Sequence, residues 1–470
     1  MEFQKKLAGE ETPIPGVVVY DLPVYGDNRG WFKENWQREK MIAAGLPDFG
    51  PVQNNISFND KAGTTRGLHA EPWDKFVSVA TGRIFGAWVD LREGPSFGAV
   101  FTTELDASKA IFIPRGVANS YQTLEDNTSY IYLVNDHWSP DAEYTFLNLA
   151  DETANVPWPI PLTDAEVSQK DLSHPRLASV KPMGPRKTLV LGADGQLGRA
   201  LRQAYAGDTS IEFAGRQDFD LLNLESYTAR HWGSYSTIIN AAAYTAVDNA
   251  ETGSGREAAW AINATAVSRL ARIASEHSLT LVHISSDYVF DGTRTEHTEN
   301  EPLTPLGVYG QSKAAGDAIV GTLPRHYIVR TSWVIGEGNN FVRTMAALAG
   351  RGVRPAVVDD QIGRLTFAAD IANGIHHLLE TNAPFGTYNL SNDGTPQSWA
   401  DIAADVFELS GADRSCVTGV STAEYFKGKP AAPRPLNSVL DLSKIKATGF
   451  RPRDSKTVLT EYLSTSQATV

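Results

Sequence analysis

Two different hydrophobic periods are written into this chain, and the place where one gives way to the other governs what it can fold into. As far as residue 160, short runs alternate apolar and polar side chains, as in Phe76-Val77-Ser78-Val79-Ala80 and in 83–89, cut by Gly82, Gly94, Gly98 and Gly116. A period of two with glycine punctuation predicts an all-β unit of antiparallel strands. Later, apolar strands at 188–191, 210–214, 237–241, 279–285 and 327–331 alternate with helical stretches such as 257–276, which predicts a doubly wound α/β parallel sheet. Between the two, residues 173–187 hold Pro175, Pro182, Gly184 and Pro185 and no period, and so predict a linker. With 470 residues, too many for one core, the expectation is two domains, 1–183 including the linker and 184–470.

A hydrophobic content of 42% with 21% charged residues is that of a globular protein. The net charge of −13 repels both a phosphate backbone and an anionic lipid surface, so neither nucleic acid nor membrane is expected as a partner. Cys416 is the only cysteine, which excludes an intrachain disulfide and a multi-thiolate zinc site and suits a reducing compartment. Lys5, Lys6 and Leu7 are followed at once by Gly9, Glu10 and Glu11, without the apolar core of a signal peptide, and no apolar run approaches the length of a membrane span. The expected location is the cytoplasm.

The first strand of the second half runs into Leu191-Gly192-Ala193-Asp194-Gly195-Gln196-Leu197-Gly198-Arg199. Glycines three apart between a strand and a helix let the backbone turn tightly and bring the helix N-terminus against a pyrophosphate. The second strand ends in Gly215-Arg216, where an acidic residue would select NAD; Arg216 points to a 2′-phosphate and NADPH, and with Asp218 and Asp220 close by, NADH stays possible. Tyr309 and Lys313, four apart, share one helix face, and Ser286 ends a preceding strand. Such a trio protonates a carbonyl, the ammonium being expected to draw the phenol pKa down from about 10.

Asn240-Ala241-Ala242-Ala243-Tyr244-Thr245-Ala246-Val247-Asp248, Ser285-Ser286-Asp287-Tyr288-Val289-Phe290, Val308-Tyr309-Gly310-Gln311-Ser312-Lys313, Arg330-Thr331-Ser332-Trp333-Val334 and Arg434-Pro435-Leu436-Asn437-Ser438 follow in order. On these motifs the second half resembles the extended short-chain dehydrogenase/reductases, and within them the dTDP-4-dehydrorhamnose reductases. The resemblance implies a Rossmann-type sheet with a small substrate subdomain. It further implies that Gly195, Gln196 and Leu197 meet the pyrophosphate, Asp220 and Leu221 the adenine, and Ala243, Tyr244 and Thr245 the nicotinamide side. Tyr309 would be the acid, and Ser286, Asp287, Trp333 and Arg434 would face substrate. Ser286 stands where the family often has threonine and keeps the hydroxyl. Whether a divalent ion serves this half is left open.

In the first half, Asp27-Asn28-Arg29-Gly30-Trp31-Phe32, Val52-Gln53-Asn54-Asn55-Ile56-Ser57 and Thr65-Arg66-Gly67-Leu68-His69 resemble the dTDP-4-dehydrorhamnose 3,5-epimerases, a cupin-type jelly roll. The resemblance implies His69 as base, Asp151 as its carboxylate partner, Lys75 as the charge that offsets an enolate, and Tyr132 as the proton donor. Arg29, Gln53, Asn55, Arg66 and Trp138 would bind substrate, and the family's dimers imply a homodimer through this domain. No metal is expected, since the His69 strand has no second histidine nearby. Two departures stand out: Ala70-Glu71 follows His69 where an aromatic and glutamine are usual, and Asn119-Ser120 replaces histidine and glycine. They leave open a half that binds the sugar nucleotide without turning it over. Together the halves imply 3,5-epimerisation of dTDP-4-keto-6-deoxyglucose followed by reduction of its 4-ketone, with UDP as the alternative nucleotide.

Overall fold

The first unit is two facing sheets whose central strands Lys75–Thr81, Ile84–Asp90 and Val117–Thr123 are buried over most of their length, while the edge strand Gln53–Asn59 alternates. In the computed structural model, which describes residues 3–140 and 142–467, the chain divides between Arg186 and Lys187. One six-stranded sheet runs Ala8–Glu11, Val18–Asp21, Lys109–Ile113, Lys75–Thr81, Thr128–Val134, Gln53–Asn59. The other runs Thr145–Phe146, Thr64–Ala70, Val117–Thr123, Ile84–Asp90, Val100–Leu105, with Glu166–Val167 added in parallel to the Thr64–Ala70 strand. Val77, Val79, Ile111 and Tyr130 from the first sheet and Ile84, Trp88 and Tyr121 from the second share one core. The remaining ladders among these strands are antiparallel, as the period of two requires.

Residues 173–186 are not the free linker that their lack of period predicted. Leu177, Val180 and Met183 are buried on the Thr64–Ala70 side of the first unit, and Met183 exchanges backbone hydrogen bonds with Leu91 and Glu93 at 2.8 and 3.0 Å. Three anchors three residues apart hold the strap with no regular element beyond the single 3₁₀ turn Leu177–Ser179, so no period marks it.

The second unit contains a parallel sheet in the order Ile211–Ala214, Lys187–Leu191, Tyr235–Asn240, Thr280–Ser286, His326–Thr331, Gly386–Asn389. The strand order reverses between Lys187–Leu191 and Tyr235–Asn240, and the crevice beyond the carboxyl ends of such a pair is where doubly wound sheets bind ligands. Separate apolar clusters, around Leu270 and Ile238 and around Ile371 and Tyr388, pack against it. A third cluster joins the helices Phe341–Gly350, Trp399–Leu409 and Ser455–Gln467. Among the described residues no helix is long and apolar enough to cross a membrane.

Candidate active sites

A cavity of about 740 Å³ in the first unit is lined by His69, Glu71, Lys75, Tyr132, Arg66 and Asp171, among others. His69 is carried by the Thr64–Ala70 strand, and its Nε2 lies 2.9 Å from Asp171 Oδ1. Asp171 is set by a one-turn helix, Gln169–Leu172, whose N-cap Ser168 accepts from the Asp171 backbone N–H. Burial alone would raise the Asp171 carboxyl; the bonds from His69, Ser168 and the Gly67 N–H outweigh it and hold the group below the usual carboxylate range.

The carboxylate behind His69 is therefore Asp171 and not Asp151. Asp151 accepts from the backbone N–H groups of Thr153, Ala154 and Leu177 at 3.0, 2.7 and 2.7 Å, so it ties the strap to the loop at 148–154. A second histidine also arrives, from the strap. His174 stands edge-on to His69 at 5.5 Å and stacks on Phe146 at 4.7 Å, and ligand atoms of His69, Asp171 and His174 lie within 4.8 Å of one another. Burial first, then the neighbouring His69, depresses the His174 pKa.

Lys75, buried, pairs with Glu71 at 2.6 Å, and its Nζ lies 5.4 Å from the centre of the Tyr132 ring. Burial and then the Glu71 charge raise the Tyr132 pKa. Asn119 sits opposite His69 in the ladder with its Oδ1 fixed by Trp88 Nε1 at 3.0 Å and Tyr130 Oη at 3.1 Å, and Ser120 Oγ donates to Arg66 O at 2.6 Å. Of the expected substrate contacts, Arg66 lines the cavity. Gln53 bonds Asn55 at 2.8 Å on an edge strand, Arg29 pairs with Asp27 on an exposed hairpin, and Trp138 is 70% exposed; these four do not line the cavity.

In the second unit the glycine turn fits a dinucleotide pyrophosphate on its own geometry. Gly192 has φ +77°, and a Cβ there would meet Ala242 N at 2.7 Å; one at Gly198 would meet Gly192 O at 2.2 Å. Gly195 caps the helix Gln196–Ala204 without a side-chain bond, and Gln196 Oε1 is buried with no hydrogen-bond partner, while Leu197 is buried beneath the turn. Arg216 is 80% exposed after the second strand, with its Nε 3.7 Å from Asp220 Oδ2, and Leu221 packs into the core.

Ala243, Tyr244 and Thr245 follow the third strand, and an asparagine that the sequence reading passed over clamps them. Asn263 Oδ1 accepts from Tyr244 N at 2.9 Å, and its Nδ2 donates to Tyr244 O at 3.1 Å and Ser312 Oγ at 3.0 Å. It sits in a widened π turn, Ala261–Thr265, between the helices Gly253–Trp260 and Ala266–Glu276. Such turns are frequent at functional sites.

Ser286 ends the Thr280–Ser286 strand, Tyr309 and Lys313 share the helix Val308–Val320, and all three are buried. The phenol is not drawn down as expected. Burial, then the Asp287 charge, pushes Tyr309 up to about 12, with Ser286 acting the other way. Lys313 Nζ is turned to Ile284 O at 2.6 Å, and burial brings Lys313 down to about 8. Asp287 accepts from Ser286 Oγ at 2.9 Å, leaves Oδ2 buried and unpartnered, and is pushed up to about 6 by burial. Trp333, at φ +44°, stacks on Trp399 at 3.8 Å, and Arg434 forms a two-pronged pair with Asp248 at 2.8 Å.

A histidine–aspartate pair lining the cavity of one unit, and a buried serine, tyrosine and lysine in a unit that opens on a glycine-rich strand-to-helix turn, are the kind of arrangement found in an isomerase and in an oxidoreductase. Residues 186–468 match the RmlD substrate binding domain, and residues 11–179 match dTDP-4-dehydrorhamnose 3,5-epimerase. The chain belongs to both families, one in each half. The Protein RmlC homolog of Streptococcus pyogenes is 53% identical over 192 residues, 39% of this chain and 96% of that one. The dTDP-4-dehydrorhamnose reductase of Aggregatibacter actinomycetemcomitans is 37% identical over 285 residues, 57% of this chain and 95% of that one. The crystal structure of dTDP-4-dehydrorhamnose reductase from Bacillus anthracis in complex with NADP is 34% identical, with a TM-score of 0.54, and covers 59% of this chain and 98% of that one.

Proposed function

We propose that this chain performs two consecutive steps on one sugar nucleotide, inverting carbons 3 and 5 of dTDP-4-keto-6-deoxyglucose and then reducing the 4-ketone to give dTDP-L-rhamnose. His69, with Asp171 fixing its ring, takes the proton from the carbon beside the ketone. Lys75 offsets the charge that develops on the ketone oxygen, and Tyr132 returns a proton from the opposite face. The same exchange at the second carbon completes the inversion.

When bound, NADPH supplies the hydride to carbon 4. Tyr309 delivers the proton to the carbonyl oxygen, Ser286 orients that oxygen, and Lys313 secures the ribose side and stabilises the phenolate left behind. Exposed Arg216 beside the second strand supports the 2′-phosphate and hence NADPH. Trp333 on its Trp399 shelf, Asp287 and Arg434 would shape the sugar side. A homodimer through the first unit is supported by the exposed Ile56 and Phe58, 67% and 55%, on the edge strand Gln53–Asn59. A single cysteine and a nicotinamide-dependent reductase suit the cytoplasm.

The His69–Asp171 pair carries this reading, because it supplies the first half with an oriented base. The test follows NADPH oxidation with dTDP-4-keto-6-deoxyglucose as sole sugar, then with a separate active epimerase added. Immediate oxidation is expected. Oxidation only after the addition would mean a working reductase joined to a first half that is inactive or merely binds, and silence in both would overturn the two-step reading. Replacing dTDP by UDP in the same assay decides the nucleotide.

A further inference from the structure

We infer that His283, buried inside the parallel sheet, is a positioning residue of the reductase that holds the Lys313 ammonium from behind, with Asn240 holding His283 in turn. The inference rests on the role given to Lys313 in the proposed function.

The three residues form a string across two strands and a helix. Asn240 and His283 are register partners on adjacent parallel strands, and the Asn240 amide lies 3.3 Å from His283 Nδ1. His283 Nε2 lies 3.4 Å from Lys313 Nζ. His283 is 0% exposed and Lys313 2%. Gly316, one turn below Lys313, opens the slot: a Cβ there would meet His283 Nε2 at 3.1 Å. A buried histidine in a strand is ordinarily packing, but packing does not require a ring nitrogen aimed at the lysine of a catalytic trio.

The chemistry fixes the state of the ring. An ammonium has only donors, so Nε2 must keep its lone pair, and Nδ1 then carries the proton. That proton needs an acceptor, and the Asn240 amide oxygen, buried and otherwise without a partner, is within reach once it faces Nδ1. An imidazolium would set two cations together, and burial followed by the Lys313 charge holds His283 well below its ordinary pKa, so the ring stays neutral. With Ile284 O taking one N–H and His283 the second, one remains for the cofactor side.

Other charged groups around Lys313 leave this role unfilled. Asp317, on the same helix, acts on Lys313 by its charge, which opposes the effect of burial and holds the Lys313 pKa up, while it is itself engaged by Arg330 Nε from the neighbouring strand at 2.9 Å. Asp287 bears on Tyr309, and Glu251 accepts from the N–H of Val308 at 2.8 Å at the far end of the helix. The helices on the other side present Asn263, which is neutral.

Removing the acceptor should lower the Lys313 pKa further below about 8, so that a function needing the ammonium is lost at lower pH as pH rises. In the full-length chain, His283→Leu should weaken NADPH binding, read by fluorescence titration, by about tenfold, the usual worth of a hydrogen bond to a charged group. It should also move the alkaline limb of kcat/KM to lower pH. His283→Gln, which returns an acceptor, should recover most of both. A folded His283→Leu with wild-type affinity and limb overturns the inference. Should that variant not fold, ¹⁵N spectra of ring-labelled wild-type protein decide: a neutral ring protonated on Nδ1 supports it, and a ring that titrates near 6.5 or carries its proton on Nε2 overturns it. Lys313→Ala separates the two assignments. If that variant keeps NADPH affinity and turnover, the lysine assignment fails; if it loses them while His283→Leu does not, only the role of His283 fails.

Discussion

Replacing Asp171 with asparagine keeps the size of the side chain but removes the charge that orients and stabilises a protonated His69. We expect Asp171→Asn to slow wash-in of deuterium at carbon 3 of the sugar by about 100-fold, the lower range for loss of general base catalysis, with the melting temperature little changed. Asp151→Ala should do the reverse: it frees three backbone N–H groups and costs about 1–2 kcal/mol, read as a lower melting temperature, while turnover per folded molecule is retained. Glu71→Gln removes a negative charge that raises the Tyr132 pKa beyond what burial does, so the alkaline limb of epimerisation should move to lower pH in a pH–rate profile. At this scale, motif and chemistry together picked out residues that the fold gathers: His69 and Lys75 line one cavity, and Ser286, Tyr309 and Lys313 are buried in the second unit. The sequence misled at the carboxylate, where the resemblance implied Asp151 and the fold brings Asp171 to His69. Asp171 reaches His69 across 102 positions, and its only local sign is the Ser168-x-x-Asp171 spacing of a helix start.

Among the elements, the turn between the strand Lys187–Leu191 and the helix Gln196–Ala204 has little room to vary. A methyl at Gly198 would stand 2.2 Å from Gly192 O and 2.6 Å from Ala193, both backbone, so Gly198→Ala should push the helix off the turn. The expected result is loss of NADPH binding by more than about tenfold in fluorescence titration, with epimerisation untouched. The strand and helix alternation was readable because each strand of a parallel sheet is buried on both faces and so stands out as a short apolar run. Two features had no such signal. The strap at 173–186 is held by single anchors, and the π turn at Ala261–Thr265 is set by one residue too many in an otherwise regular helix, whose purpose is visible only when Asn263 is seen against Tyr244 and Ser312.

At the scale of the whole molecule, the two units have their own cores and their own sites. We expect two thermal transitions by calorimetry, and NADPH at 100 times its Kd to raise only the one belonging to the second unit, by the ~2.7 kcal/mol that mass action supplies. A single transition, or a shift of both, would mean that the units unfold together. The chain divides into two compact units at 186/187, at the end of the aperiodic stretch, and the strap lies in the first of them. One polypeptide makes the two catalysts in equal numbers whatever the level of expression. If the two transitions are separate as expected, heat depletes one activity and spares the other, and the ratio of the two rates in any sample becomes a gauge of the thermal history of that sample.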